Sequence, residues 1–254
     1  MATRWSSVEI EELKEMRQRL SDDLRTQPPF PEVVGDRRML RFLRGLGHNV
    51  DLATERFSQF LDFRRKFNMD AIRTNIVYKG CSNPSKFPKG DIILKLIPQT
   101  VVIPYHTDYL GHPIVVEKSN FSPPDVLKVI SQEEYMHFLL YALEYRALVF
   151  EQLSAEREQA LLELHNGNPP LIKQPLALSD DDVGYGVIVR GCFLRDLSGL
   201  SFAHIGHEGQ AILRPIMSVV GANYPEFLGK SYIVNTPMIF SVIWQFIKTL
   251  LEPR

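Results

Sequence analysis

VIVRGCFLRD, from Val187 to Asp196, is a run of β-branched and apolar side chains that closes on a charged pair. Continuous apolar character over so short a length is the pattern of a strand covered on both faces. AHIGHEGQAILRPIMSVVGANY (203–224) then reads as a helix, and KSYIVN (230–235) as another β-branched strand. Upstream, IILKL (92–96) and PIVVEK (113–118) stand on either side of the turn residues Gly111-His112-Pro113 and read as two further strands. Pro123-Pro124 opens a helix, and Ser131 with Glu134 caps a long one. Strands alternating with helices predict an α/β fold whose sheet is mostly parallel and buried.

The preceding residues are helical in pattern. Ser6 and Glu9 form a capping box at the head of a segment spaced by Leu13, Leu20 and Leu24, and Gln27-Pro28-Pro29 ends it. A second helix starts at Asp36. It puts Met39, Phe42, Leu43 and Leu46 on its inner side and Arg37, Arg41 and Arg44 on an outer stripe, which is a solvated face or a contact for anionic headgroups. Gly45 and Gly47 stop it. Asp51 caps a third helix, with Ala53, Phe57, Phe60, Leu61 and Phe67 inward. Residues 1–75 are therefore expected to be a small helical unit and 86–254 the α/β domain, with His165 to Gly186 an exposed loop.

The end of the chain is unusual. In YIVNTPMIFSVIWQFIKTLL (232–251), Asn235-Thr236-Pro237 signals a helix start, and almost every residue from Met238 to Leu251 is apolar. Ser241, Gln245 and Lys248 leave a polar stripe about 100° wide, the reverse of an ordinary surface helix. A membrane span needs about 20 apolar residues, and Lys248 interrupts this one well short of that. The apolar face is expected to divide between protein core and something apolar that is not protein.

Composition excludes several classes. The 254 residues are 44% hydrophobic and 23% charged with a formal net charge of −1, so the basic excess that nucleic-acid binding demands is missing. The first residues hold no apolar leader, and Cys81 and Cys192 are expected as reduced thiols, which together read as cytoplasmic. Gly229-Lys230-Ser231 lacks the earlier glycine of a P-loop and precedes a strand, and no G-x-S-x-G elbow occurs. Asp196 reads as the end of a strand closing a turn in which Gly199 takes a positive φ. His204, His207 and Glu208 are a compact trio without a third metal ligand of the right order, so no catalytic constellation, metal site or cofactor is expected.

Several strings in order resemble one family. RRMLRFLRGLGHNVDLATERFSQFLDFRRKF (37–67), HTDYLGHPIVV (106–116), DLSGLS (196–201), YPEFLGKSYIVNTP (224–237) and the aromatic helix ending LLEP (250–253) are similar to the CRAL-TRIO lipid-binding domains, which include phosphatidylinositol/phosphatidylcholine transfer proteins and retinaldehyde- and tocopherol-binding proteins. The resemblance covers nearly the whole chain. It implies a non-enzymatic protein that binds, and transfers or presents, one hydrophobic lipid, a phosphatidylinositol-type phospholipid among the options, at a transiently contacted membrane surface. It also implies an apolar pocket beside the sheet, with Val115 and Phe193 lining it and Glu226 orienting a headgroup. Met238, Phe240, Ile243, Trp244 and Ile247 are then a gate helix over that pocket. Two hydroxyl positions of phosphatidylcholine binders are Gly191 and Phe193 here, which makes the pocket more apolar. The family's phosphate-binding Lys, last strand and following helix would fall beyond Arg254. The alternative reading is a ligand-free protein-interaction module on the same fold.

Overall fold

The computed structural model describes residues 5–25, 30–165 and 187–248, apart from the side chains of 161–165, 246 and 247. Helices α1 (Ser7–Arg19), α2 (Ser21–Arg25), α3 (Asp36–Gly45), α4 (Val50–Lys66), α5 (Met69–Tyr78) and α6 (Gly90–Leu96) precede the first strands, β1 (Ile103–Thr107) and β2 (Pro113–Lys118). Then follow α7 (Pro123–Val129), α8 (Gln132–His165), β3 (Gly191–Asp196), α9 (His207–Asn223), β4 (Leu228–Val234) and α10 (Phe240–Lys248).

The four strands lie in the order β1-β2-β3-β4. β2, β3 and β4 are parallel, and β1 is antiparallel to β2. A tight hairpin makes that antiparallel step: Asp108 accepts the backbone N–H groups of Leu110 and His112, both at 2.9 Å, and Gly111 takes φ +81°. Side chains alternate between sheet faces. Val115 and Phe193, register partners on β2 and β3, face α8 and share a buried cluster with Leu139, Leu143, Phe150, Tyr224 and Phe227. A second cluster unites α1, α3 and α4 through Met16, Leu40, Phe42, Phe57 and Phe60.

Both capping boxes are present: Glu9 N–H donates to the Ser6 hydroxyl and Glu134 N–H to that of Ser131, each at 3.1 Å. The third helix starts one turn corner earlier than expected. Asn49, whose Oδ1 accepts Leu52 N–H at 3.0 Å, is the cap, while the Asp51 carboxylate pairs with Arg19. IILKL is helical in α6 and not a strand, because Ile93 and Ile97, four apart, are the positions that go inside. The helical region also continues into α5, which packs its Ile72 and Ile76 into the same cluster as Tyr135 and Phe138 of α8. β3 begins at Gly191, Val187–Arg190 being extended but outside the ladder. β4 is not covered on both faces, since Leu228, Tyr232, Ile233 and Val234 are all exposed. Gly199 does not have a positive φ; it is small because a Cβ there would run into the backbone of Asn120. The stretch expected as a loop lies outside the described residues beyond His165, which ends α8.

The arginines of α3 overturn the outer-stripe expectation. Arg41 is 2% exposed and donates from Nη1 to Glu226 O (2.9 Å) and from Nη2 to Val189 O (2.8 Å). Arg37 pairs with Glu151 and Glu158, and Arg44 with Glu9. Arg38 is buried too, its Nη2 on Asn223 O at 3.0 Å and its guanidinium 4.5 Å from the Phe60 ring centre. An arginine face pointing inward places the backbone of the residues around β3 and β4 where solvent was expected. Next to it, Glu144 of α8 accepts from Arg64 Nη1 (3.1 Å) and Arg73 Nη1 (2.8 Å) at 1% exposure.

Burial alone pushes the Glu144 carboxyl up, but Arg64, Arg73 and Arg38 outweigh it and hold its pKa below the ordinary 4.5. A depressed folded-state value contributes stability above the unfolded pKa that disappears as pH falls through the folded one. Glu144→Ala is therefore expected to lower the unfolding free energy by about 3–5 kcal/mol in urea titrations at pH 7. Glu144→Gln should flatten the acid side of the stability-against-pH curve, measured by thermal unfolding between pH 6 and pH 3.

Candidate lipid-binding site

α10 follows β4 through a turn that is built differently from a simple cap. Asn235 adopts φ +53°, and its side-chain amide donates to Asp196 Oδ1 at 3.0 Å instead of capping the helix. Leu197 N–H donates to Val234 O at 3.0 Å. The turn is thus tied to the carboxyl end of β3, and the helix begins with Phe240 N–H on Pro237 O at 2.9 Å. Hydrogen bonds to Asn235 and Ser198 hold the Asp196 carboxyl below its ordinary pKa, so it stays an acceptor.

The exposure of α10 is divided sharply. Ile243 is 1% exposed, whereas Met238 is 98% and Val242 55%. Phe240 and Trp244 stand one turn apart with ring centres 5.7 Å apart, half-buried. Of the expected gate residues, the structure therefore puts Ile243 inside, Phe240 and Trp244 at the margin and Met238 outside. The side chain of Ile247 lies outside the described residues.

Val115 and Phe193 are neighbours, as expected of two residues on one wall, but both are packed in the core at 0% and 5% exposure. The ring of Phe193 folds over Gly191: a Cβ on Gly191 would come within 2.6 Å of Phe193 Cε2 and 3.1 Å of Phe150 Cζ. The guanidinium carbons of Arg146 and Arg195 lie 5.3 and 5.4 Å from the same ring centre. Glu226 lies just before β4, on the opposite end of that strand from α10, and the strand itself spans about 20 Å at ~3.3 Å per residue. Glu226 takes φ +58°, is paired with Arg190, and lends its carbonyl to Arg41. Any headgroup at Glu226 has to compete with Arg190.

One set of residues went unread in the sequence. Gln99 bridges Glu117, Glu117 is in register with Arg195, and Arg195 with Ile233, so the four form a row across the carboxyl ends of the strands. Arg146 of α8 faces it. The available signal was Arg146 itself, a cation in the apolar run of α8. Within the trio His204, His207 and Glu208, His204 is engaged locally: its Nδ1 lies 3.2 Å from the Ser201 hydroxyl, and its ring meets Phe121 edge-on at 4.9 Å. No group able to hold a metal ion occurs among the described residues, and no described helix is long and apolar enough to cross a membrane. Cys81 and Cys192 are free thiols.

Because Gly191 and the Phe193 ring share one space, Gly191→Ala is expected to lower stability by about 1–3 kcal/mol. In a Phe193→Leu background most of that cost should vanish, giving a clear coupling energy in a double-mutant cycle followed by chemical denaturation.

Comparison with known proteins agrees with this geometry. Residues 182–254 match the model of the CRAL/TRIO domain. The Sec14 cytosolic factor of Schizosaccharomyces pombe is 26% identical over 225 residues, 88% of this chain and 65% of that protein. A phosphatidylinositol/phosphatidylcholine transfer protein of Arabidopsis thaliana, SFH9, is 22% identical over 219 residues, 85% of this chain and 31% of that one. The chain thus spans less than two thirds of the length of these relatives. The crystal structure of Sfh5 superimposes with a TM-score of 0.60 at 13% identity, covering 97% of this chain and 77% of that one, which is a likeness of fold. Taken together, residues 182–254 carry CRAL/TRIO domain sequence, and most of the chain is similar in sequence to Sec14-type proteins.

Proposed function

We propose that this protein binds a single lipid at the sheet and α10 and carries it, or presents it, between membranes from the aqueous phase. The observation that carries the reading is the division of α10, with Ile243 turned inward while Met238 and Val242 stand exposed beside a tethered turn. Moving a chain of some sixteen methylenes through water costs on the order of 12 kcal/mol at roughly 0.8 kcal/mol per CH₂. A carrier offsets that with an apolar wall and a lid able to exchange protein neighbours for a bilayer, and Trp244 at the margin suits the interface. The similarity to the Arabidopsis phosphatidylinositol/phosphatidylcholine transfer protein supports a phospholipid as the ligand. The helical unit at 1–75 acts in this reading as the brace for the lipid domain at 86–254, and no catalytic step is assigned.

A second reading, an interaction module without ligand, draws on the tight packing of Val115 and Phe193 and on the pairing of Glu226 with Arg190. Native mass spectrometry with organic extraction of the purified protein separates the two, since a carrier emerges with lipid and a module without. Surface changes away from buried features shift stability by no more than about 0.5 kcal/mol. Met238→Asp with Val242→Asp is therefore expected to leave the thermal transition nearly unmoved while abolishing vesicle-to-vesicle transfer of fluorescent phospholipid; full transfer by the double variant rules the gate out.

A further inference from the structure

The row at the carboxyl ends of the strands has more donors than acceptors. Arg195 Nε donates to Glu117 Oε2 at 3.0 Å, with side chains 40% and 34% exposed. Arg146 is 9% exposed, donates from Nε to Val101 O at 2.9 Å, and has no carboxylate within ion-pair distance among the described residues. Gln99 Nε2 is buried without an acceptor. Two guanidinium groups thus face one carboxylate, and a buried amide N–H is left unanswered. Burial pushes the Arg146 guanidinium down, Glu117 pulls it back up, and Arg195 lowers it further, so the groups feel one another directly. Tyr135, also turned toward this space, is kept a neutral hydroxyl by burial first and by Glu117 second.

What such a site lacks is a group rich in oxygen acceptors carrying about one negative charge, since a guanidinium fork matches phosphate and carboxylate alike. The location is the place where ligands gather in open parallel sheets, outside the carboxyl ends of the strands. On the same face one pleat back stand the buried Val115 and Phe193, and Ile233, 37% exposed, continues the row as its apolar neighbour. We infer that Gln99, Arg146 and Arg195 form a subsite for the monoanionic oxygen head of a lipid, a phosphodiester or a carboxylate, with Glu117 positioning Arg195.

This rests on the carrier reading above, and the test keeps the two apart. The purified full chain is offered phosphatidylinositol, oleate and, as the uncharged control, dioleoylglycerol, and loading of each is read by native mass spectrometry. The wild type is expected to take at least one anionic lipid about tenfold better than dioleoylglycerol. Whether phosphatidylinositol or oleate shows the preference identifies the head as phosphodiester or carboxylate. Arg195→Gln should erase that preference without changing dioleoylglycerol uptake, Arg195→Lys should restore part of it, and Gln99→Leu should weaken it. Equal loading of charged and uncharged lipids, or a preference that survives Arg195→Gln, overturns the subsite and leaves the carrier standing. A wild type that loads none of the three overturns both.

Discussion

Arg38, Arg41, Arg64 and Arg73 all turn their guanidinium groups out of water and into the seam between α3–α5 and the domain that follows, where each has to replace the hydration it gives up. The replacements differ. Arg64 and Arg73 share the Glu144 carboxylate and reach Asp70 and Glu32 as second partners. Arg38 and Arg41 have carbonyl oxygens and aromatic rings instead, and burial lowers their pKa to about 10 and about 9. Both remain charged at neutral pH. A cavity of about 20 Å³ lined by these four arginines, Glu32, Glu144 and Glu151 has room for roughly one water, which suits a seam of polar groups.

The carbonyls that answer Arg38 and Arg41 belong to Asn223, Glu226 and Val189, the residues that end α9 and lead into β4 and β3. The helical unit therefore grips the amino ends of the two strands. Tyr224 and Phe227 beside that grip are 2% and 4% exposed, whereas Leu228, Tyr232 and Val234 along β4 are 42%, 48% and 37% exposed and Met238 beyond it 98%. Local stability follows buried contact density, so the chain is firmest at Tyr224 and loosest at the start of α10. The strand is thus held at its near end by the helical unit, while the turn at its far end is tied to β3 through Asn235 and Asp196.

The sequence reading recovered what periodicity and capping encode. The parallel strands PIVVEK and KSYIVN, the cap boxes at Ser6 and Ser131 and the inner faces of α3 and α4 depend on neighbours within a few residues. It failed where a distant partner decides. Arg41 looks like a surface residue until Val189 O and Glu226 O are brought to it, and IILKL looks like a strand until α8 covers Ile93 and Ile97. At the candidate site, the apolar helix after the turn was legible, but which of its residues faces in was not. The row of Gln99, Glu117 and Arg195 was invisible because it is made by pairing three segments far apart in the chain.

The energetics of α10 follow from how few of its described side chains are inside. Fully burying one isoleucine contributes about 1.5–3 kcal/mol, and Ile243 is the described residue of the helix that is wholly enclosed. Phe240 and Trp244 add partial burial and a ring pair, which extends the hold without making it rigid. The tether of Asn235 to Asp196 fixes the turn before this helix to the carboxyl end of β3, beside the paired β3 and β4.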